Sequence, residues 1–138
     1  MDSNKSTAIL TARLILGFIF LMQGFGKVFK IGVSNVYNGF FKETYQEILP
    51  EFISIGTAYY TSYVELIAGF MLVIGFKKNI AYILLASVLV IVTFGHGLVE
   101  PIWDLSHVMY RAILLIFLLM MPSSLDKFSL DHRLSTKK

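Results

Sequence analysis

Six side chains able to bond or charge a ligand interrupt otherwise apolar stretches of this chain: Gln23 and Lys27, then Glu65, then His96, then His107 and Arg111. An ionisable group in hydrocarbon costs at least about 2.5 kcal/mol, so it is normally paired inside a helix bundle and tied to function. A carboxylate at Glu65 must meet a cation or take up a proton, and Lys27, Arg111 and Arg13 are its candidate partners. Gln23, His107 and Arg111 are donors suited to the carbonyl oxygens of a planar lipophilic ligand such as a quinone. Tyr59, Tyr60, Tyr63, Phe94, Trp103 and Tyr110 would wall that ligand, or else form the aromatic belt that marks the headgroup level. Gln23, Lys27, Glu65, His96, His107 and Arg111 are therefore the expected cofactor-binding set, with a purely structural ion pair at Glu65 as the competing reading.

Other chemistries fit less well. With no cysteine in the chain, structural disulfides, thiolate metal sites and dithiol redox chemistry are excluded. His96 and His107 are residue types that could clamp a haem iron between helices. Both fall near one hairpin end, where they would face headgroups, so haem is disfavoured; the cofactor stays open, with a quinone as the candidate. His96, Glu100, Asp104 and His107 are suitable metal ligands by type, yet Pro101 breaks the helix that would align them. No metal site is expected. The basic residues are scattered and carry no nucleic-acid motif. No nucleotide-binding glycine motif is present and no catalytic residue is assigned, so the chain is not expected to be an enzyme by itself.

The elements that must position these groups are membrane helices. Of 138 residues, 56% are hydrophobic and 15% charged, against about 45–50% and about 25% in soluble domains; mean hydropathy is +0.70. The pattern predicts one all-α membrane domain, a bundle of four spans at about 8–29, 56–76, 79–99 and 106–122. The first span is expected to be an uncleaved helix rather than a signal peptide. Lys77, Lys78 and Asn79 leave so short a link between the second and third spans that these must form an antiparallel hairpin. Lys5, Lys77, Lys78, Lys127, Arg133, Lys137 and Lys138 fall on one side, against Lys30 and Lys42 on the other. By the positive-inside rule both termini are cytoplasmic, with Glu43, Glu47, Glu51, Glu100 and Asp104 outside.

Spacing then assigns faces. Arg13, Gly17, Phe20, Gly24 and Lys27 recur at intervals of three and four, as do Glu65, Gly69, Leu72 and Gly75, so each set lies on one helix face. Small residues permit close approach, and the two faces are expected to pair, with Arg13, Gly17, Gly24, Glu65, Gly69 and Gly75 as a structural polar face. Between the first two spans, Val36, Tyr37, Phe40, Phe41, Tyr45, Ile48, Leu49 and Phe52 recur at helical spacing. That segment reads as an amphipathic helix in the outer interface, stopped by Pro50, capping the bundle or gating a ligand. The polar, basic tail 123–138 is expected to stay solvated or to rest on anionic lipid heads.

Arg13, Gly17, Gly24 and Lys27, the run E-x-x-A-G-x-x-L-x-x-G from Glu65 to Gly75, Leu49-Pro50, and the closing Ser129-Leu130-Asp131 together resemble the DoxX family of small four-helix membrane proteins. The family is named for the small subunit of an archaeal terminal quinol oxidase and is also associated with thiosulfate:quinone oxidoreductase. Many relatives place a histidine before the glycine matching Gly24; this chain has Gln23, which can bond a quinone but is no ready proton shuttle. The resemblance implies an accessory subunit of a quinone-linked oxidoreductase in the inner membrane, anchoring the complex or lining its quinone pocket. Expected partners are membrane lipid and other membrane subunits, with a homo-oligomer as a further option and no nucleic acid. Two alternatives stand beside it: a structural or assembly factor for a larger complex, and an oligomeric transporter of protons or a small solute.

Overall fold

A computed structural model describes residues 2–100 and 106–136, and every regular element among them is helical. Helix α1 (Asp2–Phe25) runs on into a π-helical stretch, Gly26–Ile31. Short pieces follow: α2 (Val33–Val36), a second π stretch (Tyr37–Lys42) and α3 (Glu43–Tyr45). The long helices α4 (Glu51–Ile74) and α5 (Lys78–Val99) come next, then α6 (Ser106–Met120) and the short α7 (Leu130–Ser135). Pro101, Trp103, Asp104, Lys137 and Lys138 lie outside the described residues.

Three helices are long and apolar enough to cross a membrane: Ser3–Ile31, Glu51–Ile74 and Lys78–Val99. With 15 residues, α6 rises about 22 Å, less than the roughly 30 Å of a hydrocarbon core. α1 packs chiefly against α4 and also against α6, while α5 touches both α4 and α6. Leu16, Phe20, Ala68, Leu72 and Leu85 are completely buried between them. The outer faces are apolar too, with Phe18, Met22, Ile67, Phe70, Ile83 and Ile113 exposed, the signature of helices meant for an apolar surround.

Glycines bring α1 and α4 together. A Cβ on Gly24 would collide with the Leu66 backbone, and one on Gly69 with the backbone of Leu21. The two helices therefore touch main chain to main chain, and that contact fixes their register.

The sequence placed one amphipathic helix between the first two spans. In the structure the helical turns end at Tyr45, well short of Pro50, and Pro50 instead opens α4, which begins at Glu51 rather than near 56. Tyr37 and Tyr45 of this segment are buried, while Phe52, which falls on α4 beyond Pro50, is 75% exposed.

The tail departs furthest from expectation, because it docks instead of staying solvated. Asp126 and Ser129 are buried. Arg13 Nε lies 3.0 Å and Lys78 Nζ 2.8 Å from Asp126 Oδ2, and Lys78 also donates to Ser129 Oγ at 3.1 Å. The Arg13 guanidinium further donates to the carbonyls of Leu72, Val73 and Phe128. Asp131 accepts from the Lys77 and Lys78 amides at 2.8 and 3.0 Å, supplying acceptors for the first turn of α5 that its own N-cap side chain does not. The Asp131 amide in turn donates to Gly75 O at 3.0 Å. Gly75 ends α4 at φ 71° with paired amide bonds, Gly75 N to Leu72 O and Phe76 N to Met71 O, the Schellman stop that a residue without Cβ makes cheaply. Polar residues that look like a solvated tail are thus the counter-ions and caps of the bundle.

Candidate functional site

The Gly24 and Gly69 contact sets Lys27 beside Glu65. Lys27 Nζ donates to Oε1 at 3.0 Å and stands 2.8 Å from Oε2. The Glu65 side chain is sealed in, at 1% exposure, whereas the Lys27 side chain keeps 20%. Lys27 falls in the π-helical stretch, where a widened turn re-aims side chains and often marks a functional position. Arg13, a candidate partner of Glu65 by type, is instead held by Asp126 halfway along α1, beside the end of α4.

Lys27 looks into a cavity of about 970 Å³. Five of the six expected ligand-binding residues line it: Gln23 and Lys27 from α1 and its extension, His96 from α5, and His107 and Arg111 from α6. Glu65 is the sixth and sits behind Lys27. The Arg111 guanidinium lies 5.6 Å over the Phe20 ring, a cation–π contact, and its charge reaches Glu65 at longer range. Among the described residues no aspartate or glutamate lines the cavity.

Ser54, Thr57 and Thr61 of α4 add hydroxyls to the wall, and Ile53, Val90, Val92 and Val108 make it largely apolar. Thr61 donates within its helix to Thr57 O at 2.9 Å. Ser54 Oγ is buried and has no hydrogen-bond partner among the described residues, a rare condition for a native hydroxyl. The segment between α1 and α4 forms the roof through Val36, Phe40, Phe41 and Tyr45. Phe40 stands 6.3 Å from the His96 ring, and Tyr45 packs against Gly95, where a Cβ would come within 3.2 Å of its hydroxyl. Burial pushes the Tyr45 phenol above its ordinary range, so it remains a neutral donor at physiological pH.

The aromatic wall differs from the one expected. Tyr59, Tyr60, Tyr63 and Tyr110 are exposed on the outside, with Tyr59 paired to Ser34 and Tyr60 to Ser87. Phe94 alone of the described members lines the cavity, joined by Phe40, Phe41 and Tyr45. The hydroxyl row was legible in principle, since Ser54, Thr57, Thr61 and Glu65 recur at three- and four-residue spacing on one face. Among the described residues no group of three His, Cys, Asp or Glu is placed to hold a metal ion.

The DoxX family model matches residues 8–97. The chain belongs to the DoxX family. No curated protein and no solved structure matches it. The matched stretch of this DoxX protein takes in α1, the roof, α4 and most of α5, and with them the Lys27 and Glu65 pair. It stops before His107, Arg111 and the docked tail, so the part of the resemblance drawn on Ser129-Leu130-Asp131 lies beyond it.

Proposed function

We propose that this DoxX protein is a small accessory subunit of a quinone-linked membrane oxidoreductase and that its cavity receives the quinone headgroup. One observation carries the reading: hydrogen-bonding side chains from four helices converge on an apolar cavity roofed by aromatics, the combination by which proteins hold planar lipophilic ligands. The Gln23 amide and the Arg111 guanidinium donate to carbonyl oxygens, and Glu65 pairs with Lys27 and aims it. Phe40, Phe41 and Tyr45 cover the ring and keep water out. A bound quinone would supply reversible electron and proton uptake; the protein supplies position and charge. The Ser54 hydroxyl, without a partner among the described residues, is a further donor that such a ligand would satisfy.

In this reading all four long helices cross the inner membrane as a bundle, α6 with its flanking residues, and residues 33–45 lie in the outer interface. Both termini face the cytoplasm, as the Lys and Arg distribution argues.

The test is extraction of the tagged full chain from its native membrane in mild detergent, with mass spectrometry of companions and quinone analysis of the extract. Companions bearing haem, flavin or iron–sulfur motifs together with retained quinone are expected. Redox-inert companions without quinone would replace the reading with a structural factor, and a homo-oligomer without quinone would replace it with a transporter.

A further inference from the structure

The charges around the cavity do not cancel. Lys27 and Glu65 neutralise one another at 2.8 Å, which leaves Arg111. Among the described residues no carboxylate lies within ion-pair distance of its guanidinium, which stands 5.6 Å over the Phe20 ring and meets Glu65 only at longer range. The cavity wall contributes no acid among the described residues, only His96 and His107 besides the two cations. A half-buried cation beside apolar space lacks the solvation that water would give, and an opposite charge brought in by a ligand replaces it.

A second feature points the same way. Ser54, only 3% exposed, carries a hydroxyl with no hydrogen-bond partner among the described residues and lines the same cavity. Such a hydroxyl is satisfied by an acceptor on whatever fills the space. At about 970 Å³ the cavity is at the upper end of the roughly 300–1,000 Å³ usual for ligand sites, enough for a ring system and part of an apolar chain.

We infer that the cavity selects an amphiphile bearing one negative charge, seated against Arg111, over its neutral counterpart. The inference rests on the cavity being the ligand site proposed above and adds the ligand's charge. Two sources share this chemistry: an acidic hydroxyquinone, ionised at neutral pH, and the phosphate of an anionic phospholipid.

The experiment uses the full chain in phosphatidylcholine nanodiscs and two probes, a 2-hydroxy-3-alkyl-1,4-naphthoquinone and its 2-methoxy ether, which cannot ionise. A charge-assisted hydrogen bond contributes about 1.5–3 kcal/mol, so the acid is expected to bind about 10- to 100-fold tighter than the ether. Arg111→Gln is expected to bring the acid down to the affinity of the ether, and Arg111→Lys to keep most of the preference. Equal affinities of acid and ether overturn the inference and leave the quinone reading standing. A preference undiminished in Arg111→Gln also overturns it. If neither probe binds, but phosphatidylglycerol is retained from mixed nanodiscs in an Arg111-dependent way, charge selection holds and the quinone reading falls. Retention of nothing refutes both. Should Arg111→Gln fail to fold, the wild-type ratio of acid to ether and its persistence in Arg111→Lys decide the matter.

Discussion

Asp126→Ala should be among the most damaging single changes in this protein, although Asp126 lies in a stretch that reads as a polar tail. Its Oδ2 is shared by Arg13 at 3.0 Å and Lys78 at 2.8 Å, and the three side chains are 1%, 5% and 2% exposed for Arg13, Lys78 and Asp126. Truncation leaves two buried cations with no anion. Arg13 keeps the carbonyls of Leu72, Val73 and Phe128, and Lys78 keeps Ser129 Oγ, so hydrogen bonds remain but charge compensation does not. Removing one partner from a buried ion pair costs about 3–5 kcal/mol. At roughly 4 °C per kcal/mol for a chain of this size, the melting temperature in mild detergent, followed by far-UV circular dichroism, should fall by about 12–20 °C. The triple change Arg13→Met, Lys78→Met and Asp126→Leu should recover most of that loss, because removing every charge is far cheaper than stranding two. An Asp126→Ala protein that melts within about 4 °C of wild type would refute the argument that the docked tail neutralises the bundle.

Other changes should rank below it. Gly69→Leu drives a side chain into the Leu21 backbone, and main chain does not yield as a rotamer does; a loss of at least about 1–3 kcal/mol is expected, seen as a lower melting temperature. Asp131→Ala removes both acceptors of the Lys77 and Lys78 amides and should cost about 0.5–2 kcal/mol, the usual range for an N-terminal cap. Glu65→Gln strands Lys27, but the Lys27 side chain is 20% exposed, so about 1–3 kcal/mol is expected. A Glu65→Gln protein less stable than Asp126→Ala would contradict the order drawn from burial.

The parts of this structure that were legible in the sequence are those where one helix face carries its own signal. Gly24, Lys27, Glu65 and Gly69 repeat at helical intervals, so the pairing of α1 with α4 and the ion pair between them could be anticipated from spacing. The docked tail could not. Lys78 lies 48 residues before Asp126, no periodicity links them, and a buried aspartate looks the same in sequence as a solvated one. The partner of Arg13 was hidden for a related reason: its residue type makes it one of three candidates for Glu65, but its depth along α1 puts it beside the end of α4 and the returning tail. The roof was half legible. Its apolar spacing is helical, but the turns end at Tyr45 and Pro50 opens a new helix, so Phe40, Phe41 and Tyr45 line the cavity while Phe52, carried on α4, is exposed.

The central claim is that a quinone headgroup occupies the cavity beneath residues 33–45. Photolabelling of the full chain in nanodiscs with an azido-quinone, followed by peptide mapping, tests it most directly. The account predicts adducts on the peptides holding Lys27–Ile31 and Asn35–Tyr45, suppressed by excess unlabelled quinone. Adducts spread over the outward faces of Phe18, Phe70 and Ile83, and indifferent to competitor, would contradict it.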